Sequence, residues 1–144
     1  DDCYNSTPLS ASRMLESAAE MAREKKLPLY LVLGEMLELG SAAGESHFQL
    51  GRQAAASGAV RIFWKGGMGE QVLRGLEKEG FAGRFTAVGS AEDFLAALGG
   101  DEESGSGESY ASNMAGVLLF KGSRGNRLEL FVSAFQQKFN DDYN

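Results

Sequence analysis

Five consecutive positions, Lys121-Gly122-Ser123-Arg124-Gly125, bring together two cations, a hydroxyl and two glycines. Backbone N–H groups in a tight glycine loop, joined by an ammonium and a guanidinium, make a cradle for an anion. A second polar stretch, Gly34-Glu35-Met36-Leu37-Glu38-Leu39-Gly40, sets two carboxylates three residues apart. Such a pair can move a proton or hold a cation, and the same spacing also suits a capped turn with solvated acids. Asp2, Tyr4 and Asn5 come just before a proline-started helix. Acid and amide side chains there suit ribose hydroxyls or a base edge, and a phenol can stack. His47, the only histidine, falls near a helix start with Glu45 on a different face, so it reads as a surface or capping residue rather than a catalytic one. Cys3 has no neighbouring base to make its thiol reactive and reads as incidental.

These groups need elements to hold them. Val117-Leu118-Leu119-Phe120 is an apolar run that enters the cationic loop, and Leu128, Phe131, Val132 and Phe135 follow at helical spacing. The pattern is a buried strand, a loop and a helix. Leu29-Tyr30-Leu31-Val32-Leu33 is a second continuous apolar run, expected to be a strand buried on both faces and closed by Gly34. It follows a helix that Thr7 caps and Pro8 begins. Further helices are expected over 46–57, around Val72, Leu73 and Leu76, and after Ser90, with strands over 60–64 and 84–88. Strand and helix alternate throughout. That implies an α/β, Rossmann-like three-layer domain with a mainly parallel sheet and helices on both faces. One domain is expected over residues 1–139, with a flexible acidic Gly/Ser-rich loop at about 100–110 and a frayed tail at 140–144. Ligands of such sheets bind beyond the carboxyl ends of the strands, where both polar stretches fall.

Bulk properties narrow the function. The formal charge of −6 and the absence of a basic stripe argue against nucleic-acid binding. No apolar run is long enough to span a bilayer and no signal-peptide pattern opens the chain, so membrane insertion is not expected. One cysteine allows no disulfide within the chain, which favours a reducing, cytoplasmic setting. The start at Asp1, without Met, suggests a fragment of something longer. The glycine-rich turn Lys65-Gly66-Gly67-Met68-Gly69 lacks the Gly-Lys-Ser/Thr ending of a phosphate loop and the spacing of a dinucleotide fingerprint. A dehydrogenase is therefore disfavoured.

Three segments occur in order: Asp1-Asp2-Cys3-Tyr4-Asn5-Ser6-Thr7-Pro8, the stretch from Val32 and Leu33 through Gly40, and Phe120 leading into Lys121-Gly122-Ser123-Arg124-Gly125. Together they resemble the C-terminal domain of the Mur ligase family, over essentially the whole chain, and within it the members that add D-Ala-D-Ala. The resemblance implies an ATP-dependent amide ligase of three domains. ATP with Mg2+ would activate the terminal carboxylate of UDP-N-acetylmuramoyl-tripeptide as an acyl phosphate, which the amine of D-Ala-D-Ala attacks to form a peptidoglycan precursor. Asp2, Tyr4 and Asn5 match the hinge segment that helps hold the nucleotide. Glu35, which stands where the family usually has Asp, matches a loop facing the closed active site, and Thr7 stands where Asn is common. Lys121, Ser123 and Arg124 match the loop that binds the incoming amino acid. His47 falls where the family often has His. No catalytic residue and no metal ligand is implied within this domain, whose partners would be the N-terminal and central domains of the same protein. The isolated domain is expected to be inactive and to bind nucleotide weakly or not at all. The alternatives are a non-catalytic Rossmann-like module for nucleotide or protein, and another amino-acid ligase of the superfamily.

Overall fold

The strand β1, Leu29–Gly34, is buried at every residue and forms the spine of the domain. It is short, apolar and partly β-branched, and both of its faces are covered, as such a run requires. The computed structural model describes residues 7–100 and 116–143. The expectations for Asp2, Cys3, Tyr4, Asn5 and almost all of the acidic loop fall outside them.

Around β1 the chain lays down α1 (Pro8–Lys25), α2 (Ala43–Ala56), β2 (Arg61–Lys65), α3 (Gly69–Lys78), β3 (Arg84–Ala87), α4 (Ala91–Gly100), β4 (Val117–Lys121) and α5 (Leu128–Tyr143). Among the described residues all strand pairings are parallel and the order is β3-β2-β1-β4. Leu31 pairs with Ile62 on one side and Leu119 on the other. Alternate residues of β1 serve two cores. Leu29, Leu31 and Leu33 pack with α1, α2 and α3, whereas Val32 packs with Phe63, with Phe94 and Leu98 of α4, and with Leu128 and Phe131 of α5. Phe94 anchors the second core: it stacks on Phe131 at 5.4 Å and meets Phe63 edge-on at 5.1 Å. The sheet thus has helices on both faces, as the alternation of elements implied.

Local signals set the element ends. Thr7 Oγ1 accepts from Ser10 N at 3.1 Å and Thr7 N donates to Ser10 Oγ at 3.0 Å, a reciprocal cap that satisfies the first orphan donors of α1. Lys26 ends α1 in the left-handed region, and Leu27 N returns to Ala22 O at 3.0 Å. Two boundaries differ from the sequence reading. Helix α2 begins at Ala43, after a 3-10 turn at Gly40–Ala42, rather than at Ser46. Helix α5 extends to Tyr143, past residue 139, and no glycine or proline interrupts it.

The chain steps from β1 to β2 to β3 in one direction, then returns across α4 to the far side of β1 as β4. The direction of winding reverses between β1 and β4. Connections leave these two carboxyl ends on opposite faces, which opens a crevice there. Helix α1 leads into the start of β1 and packs along β4, so its capped N-terminus also lies at this end.

Candidate functional site

Both sequence-predicted stretches meet at this reversal. Leu33 pairs with Lys121, and Gly34 pairs with Lys65 at the end of β2. The backbones pass so closely that side chains are excluded. A Cβ on Gly34 would stand 2.8 Å from Asn126 Nδ2, and one on Gly122 would stand 3.0 Å from Gly34 Cα. Gly66, in the β2–α3 turn, adopts φ 141, and a Cβ there would come within 2.5 Å of Glu35 Cβ.

The loop 35–39 is fixed by three successive amides, each held by a different element. Glu35 N donates to Lys65 O at 3.0 Å, Met36 N to His47 Nε2 at 2.9 Å, and Leu37 N to Ser123 Oγ at 2.9 Å. Glu35 O accepts from Asn126 Nδ2 at 2.5 Å and from Ser123 N at 3.4 Å. Glu35 Oε1 accepts from Gly67 N at 2.9 Å, so the carboxylate spans to the glycine turn. Lys65 Nζ donates to Asn126 O at 2.8 Å, and Trp64 Nε1 closes the same turn on Gly66 O at 3.1 Å. The carboxyl ends of β1, β2 and β4 are thereby tied into one platform.

The predicted residues fall into different places on it. Glu35 is half-buried and bound to Gly67, whereas Glu38 is exposed in the left-handed region at φ 64. That conformation is unusual for a residue with a side chain and turns the two carboxylates into unlike groups. Lys121 is buried to 2% exposure on the face that carries Leu119, because strand residues two apart share a face. Arg124 is exposed at the first position of a 3-10 turn, Arg124–Asn126. The two cations, expected side by side in one cradle, thus differ: one is buried at the end of β4 and the other is exposed. Ser123 is buried and serves the backbone of the facing loop.

His47 corrects the sequence reading most clearly. It is not at the surface but fully buried, edge-on to Trp64 at a centroid distance of 5.7 Å. The signal was present: His47, Leu50, Gly51 and Ala54 form one buried stripe of α2 at helical spacing. Asn126 was not singled out, and Lys65 entered only as the first residue of the glycine-rich turn. Their partners are 91 and 61 residues away, and no local pattern announces such contacts.

Among the described residues no group of three or more His, Cys, Asp and Glu is placed to hold a metal ion. Nor does any described helix have the length and apolarity to cross a membrane. Two open grooves, of about 200 and 340 Å³, lie elsewhere, between α1 and the end of α2, and contain none of the platform residues.

No protein-family model matches the chain. It is 29% identical over 133 residues to a UDP-N-acetylmuramoyl-tripeptide–D-alanyl-D-alanine ligase of Bacillus subtilis (strain 168), covering 92% of this chain and 26% of that protein. A crystal structure of MurF from Acinetobacter baumannii superposes with a TM-score of 0.72 at 23% identity, over 95% of this chain and 27% of that one. The MurF ligase of Thermotoga maritima, solved in complex with ADP, superposes with a TM-score of 0.65 at 21% identity, over 99% of this chain and 28% of that one. The chain therefore resembles MurF over most of its length, has the fold of the MurF C-terminal domain, and spans about a quarter of the relatives it matches.

Proposed function

We propose that this chain is the substrate-receiving C-terminal domain of an ATP-dependent ligase that joins D-Ala-D-Ala to UDP-N-acetylmuramoyl-tripeptide. The observation that carries the reading is the meeting of loop 35–39 with the Ser123–Arg124 loop at the winding reversal, in a chain 29% identical to such a ligase. Relatives alone would support the fold. The platform adds a rigid, sterically shaped surface with an exposed guanidinium on it.

Binding and orientation are the work these residues are suited to. Arg124 presents a planar donor pair that matches the free carboxylate of a dipeptide in bidentate fashion. Lys121 brings its amine to the same strand end from the buried face of β4, and Ser123 sets the distance between the two loops. Glu35, held at Gly67 N, keeps the glycine turn close to β1. Nothing described here fits ATP with Mg2+. The turn after β2 lacks a phosphate-loop lysine and hydroxyl, its Gly67 N–H is occupied by Glu35, and no acidic cluster is present among the described residues. Nucleotide and metal are assigned to the remainder of the longer enzyme, with Asp2, Tyr4 and Asn5 contributing to the nucleotide from the hinge. Such an enzyme works in the cytoplasm, where ATP and UDP-linked precursors reside.

The test is steady-state kinetics on the ligase that carries this domain. D-Ala-D-Ala-dependent release of phosphate in the presence of the UDP-linked tripeptide is expected, with none from residues 1–144 alone. Turnover by the isolated chain, or none by the longer protein, rejects the reading. Within the active enzyme, Arg124→Ala should raise the KM for the dipeptide about 10- to 100-fold, the loss expected for one charged hydrogen-bonding group. An unchanged KM removes Arg124 from the dipeptide site.

A further inference from the structure

We propose that His47 is a positioning residue, holding the substrate-facing loop 35–39 through one neutral tautomer and taking no part in proton transfer. What the loop faces rests on the ligase reading above; the latch itself does not. Met36 is 2% exposed, so water cannot replace a lost partner for its amide. That amide donates to His47 Nε2 at 2.9 Å, so Nε2 carries no proton. The proton must then be on Nδ1, which donates to Ala43 O at 2.7 Å in the first turn of the same helix. Trp64 closes the imidazole edge-on, and the ring is fully buried. Both nitrogens are committed to backbone groups.

The other two amide anchors come from the strand side: Lys65 O holds Glu35, and Ser123 Oγ holds Leu37. His47 is the anchor from the helical layer. It fixes the middle amide just before Glu38 enters the left-handed region at φ 64. Losing it would free the turn that carries Leu37 and Glu38 over the crevice.

Two substitutions divide the ring's functions. In His47→Gln the amide oxygen can occupy the Nε2 position and keep the bond from Met36. In His47→Asn the amide nitrogen can occupy the Nδ1 position and keep the bond to Ala43, but Met36 loses its acceptor. Amide hydrogen exchange on residues 1–144 should show Met36 at least about tenfold faster in the Asn variant and near the native rate in the Gln variant, with Leu31 equally protected in both. Equal acceleration at Met36 in both variants, or none in the Asn variant, overturns the latch. If the Asn variant does not fold, nitrogen chemical shifts of the native imidazole decide: a protonated Nδ1 with a bare Nε2 supports the latch, and the reverse tautomer overturns it. In the full ligase, His47→Asn should raise the dipeptide KM and His47→Gln should restore it. An unchanged KM alongside fast Met36 exchange overturns the substrate-facing assignment of the loop, a failure distinct from that of the latch.

Discussion

Gly51→Val should destabilise the domain by about 4 kcal/mol and Gly51→Ala by about 2 kcal/mol, measured by denaturant unfolding. The contact responsible is backbone against backbone. A Cβ on Gly51 of α2 would overlap the Val72 carbonyl of α3, and a Cβ on Gly75 of α3 would overlap the Phe48 carbonyl of α2. Neither obstacle is a flexible side chain that can swing aside, so the helices must separate. Separation loosens Leu50, Val72 and Leu76, which this crossing buries. Ala in place of Gly gains about 1 kcal/mol of helix propensity, which offsets only part of the overlap. Val gains less and adds two more atoms. Gly44, in the same helix with nothing within 4 Å of its Cβ position, provides the control: Gly44→Ala should be neutral or stabilise by up to about 1 kcal/mol. Gly75→Ala should match Gly51→Ala, and the double variant should cost less than the sum, because both open the same crossing.

The sequence makes the fold easier to read than the site, for physical reasons. A five-residue apolar run at 29–33 is a local pattern, and so is the alternation of strands with helices. Short connections and right-handed crossovers then leave few arrangements of the sheet. That reasoning also brings loop 35–39 to the carboxyl end of β1 and the cationic loop to that of β4. Their adjacency, however, depends on the winding reversal, which needs strand order as well as strand positions. Side-chain roles depend on partners distant in sequence. His47 looks outward by polarity and is turned inward by the Met36 amide. Lys121 looks like one half of a cradle, but strand alternation places it beside Leu119 under the sheet. Arg61, inside the strand expected over 60–64, is 4% exposed, reaches Ala97 O at 3.3 Å and covers the Phe63 ring at 4.6 Å. Gly51 and Gly75 look like helix-weakening residues until their facing carbonyls are known.

Asn126→Asp is the sharper probe of the platform, since it preserves shape and reverses one polarity. Asn126 Nδ2 donates to Glu35 O at 2.5 Å, and the residue is 6% exposed. A carboxylate there would oppose oxygen to oxygen out of reach of solvent. The expected loss is about 3 kcal/mol: one hydrogen bond plus a buried acceptor facing another. Relative to the native chain, the deficit should narrow as the solution is acidified, because a protonated carboxyl regains a donor. A deficit that stays constant with pH would point to packing rather than polarity. Lys65→Met removes the second tie, from Nζ to Asn126 O at 2.8 Å, while keeping the apolar stem, and should cost about 1 kcal/mol. Both ties hold the 3-10 turn that begins at Arg124. If the exposed guanidinium reads the dipeptide carboxylate, either substitution should raise the dipeptide KM in the full ligase, in the same direction as Arg124→Ala. Neither should add to Arg124→Ala in a double variant, because a turn without its guanidinium has nothing left to aim. Full additivity would mean that Asn126 and Lys65 act on the site by a route other than Arg124.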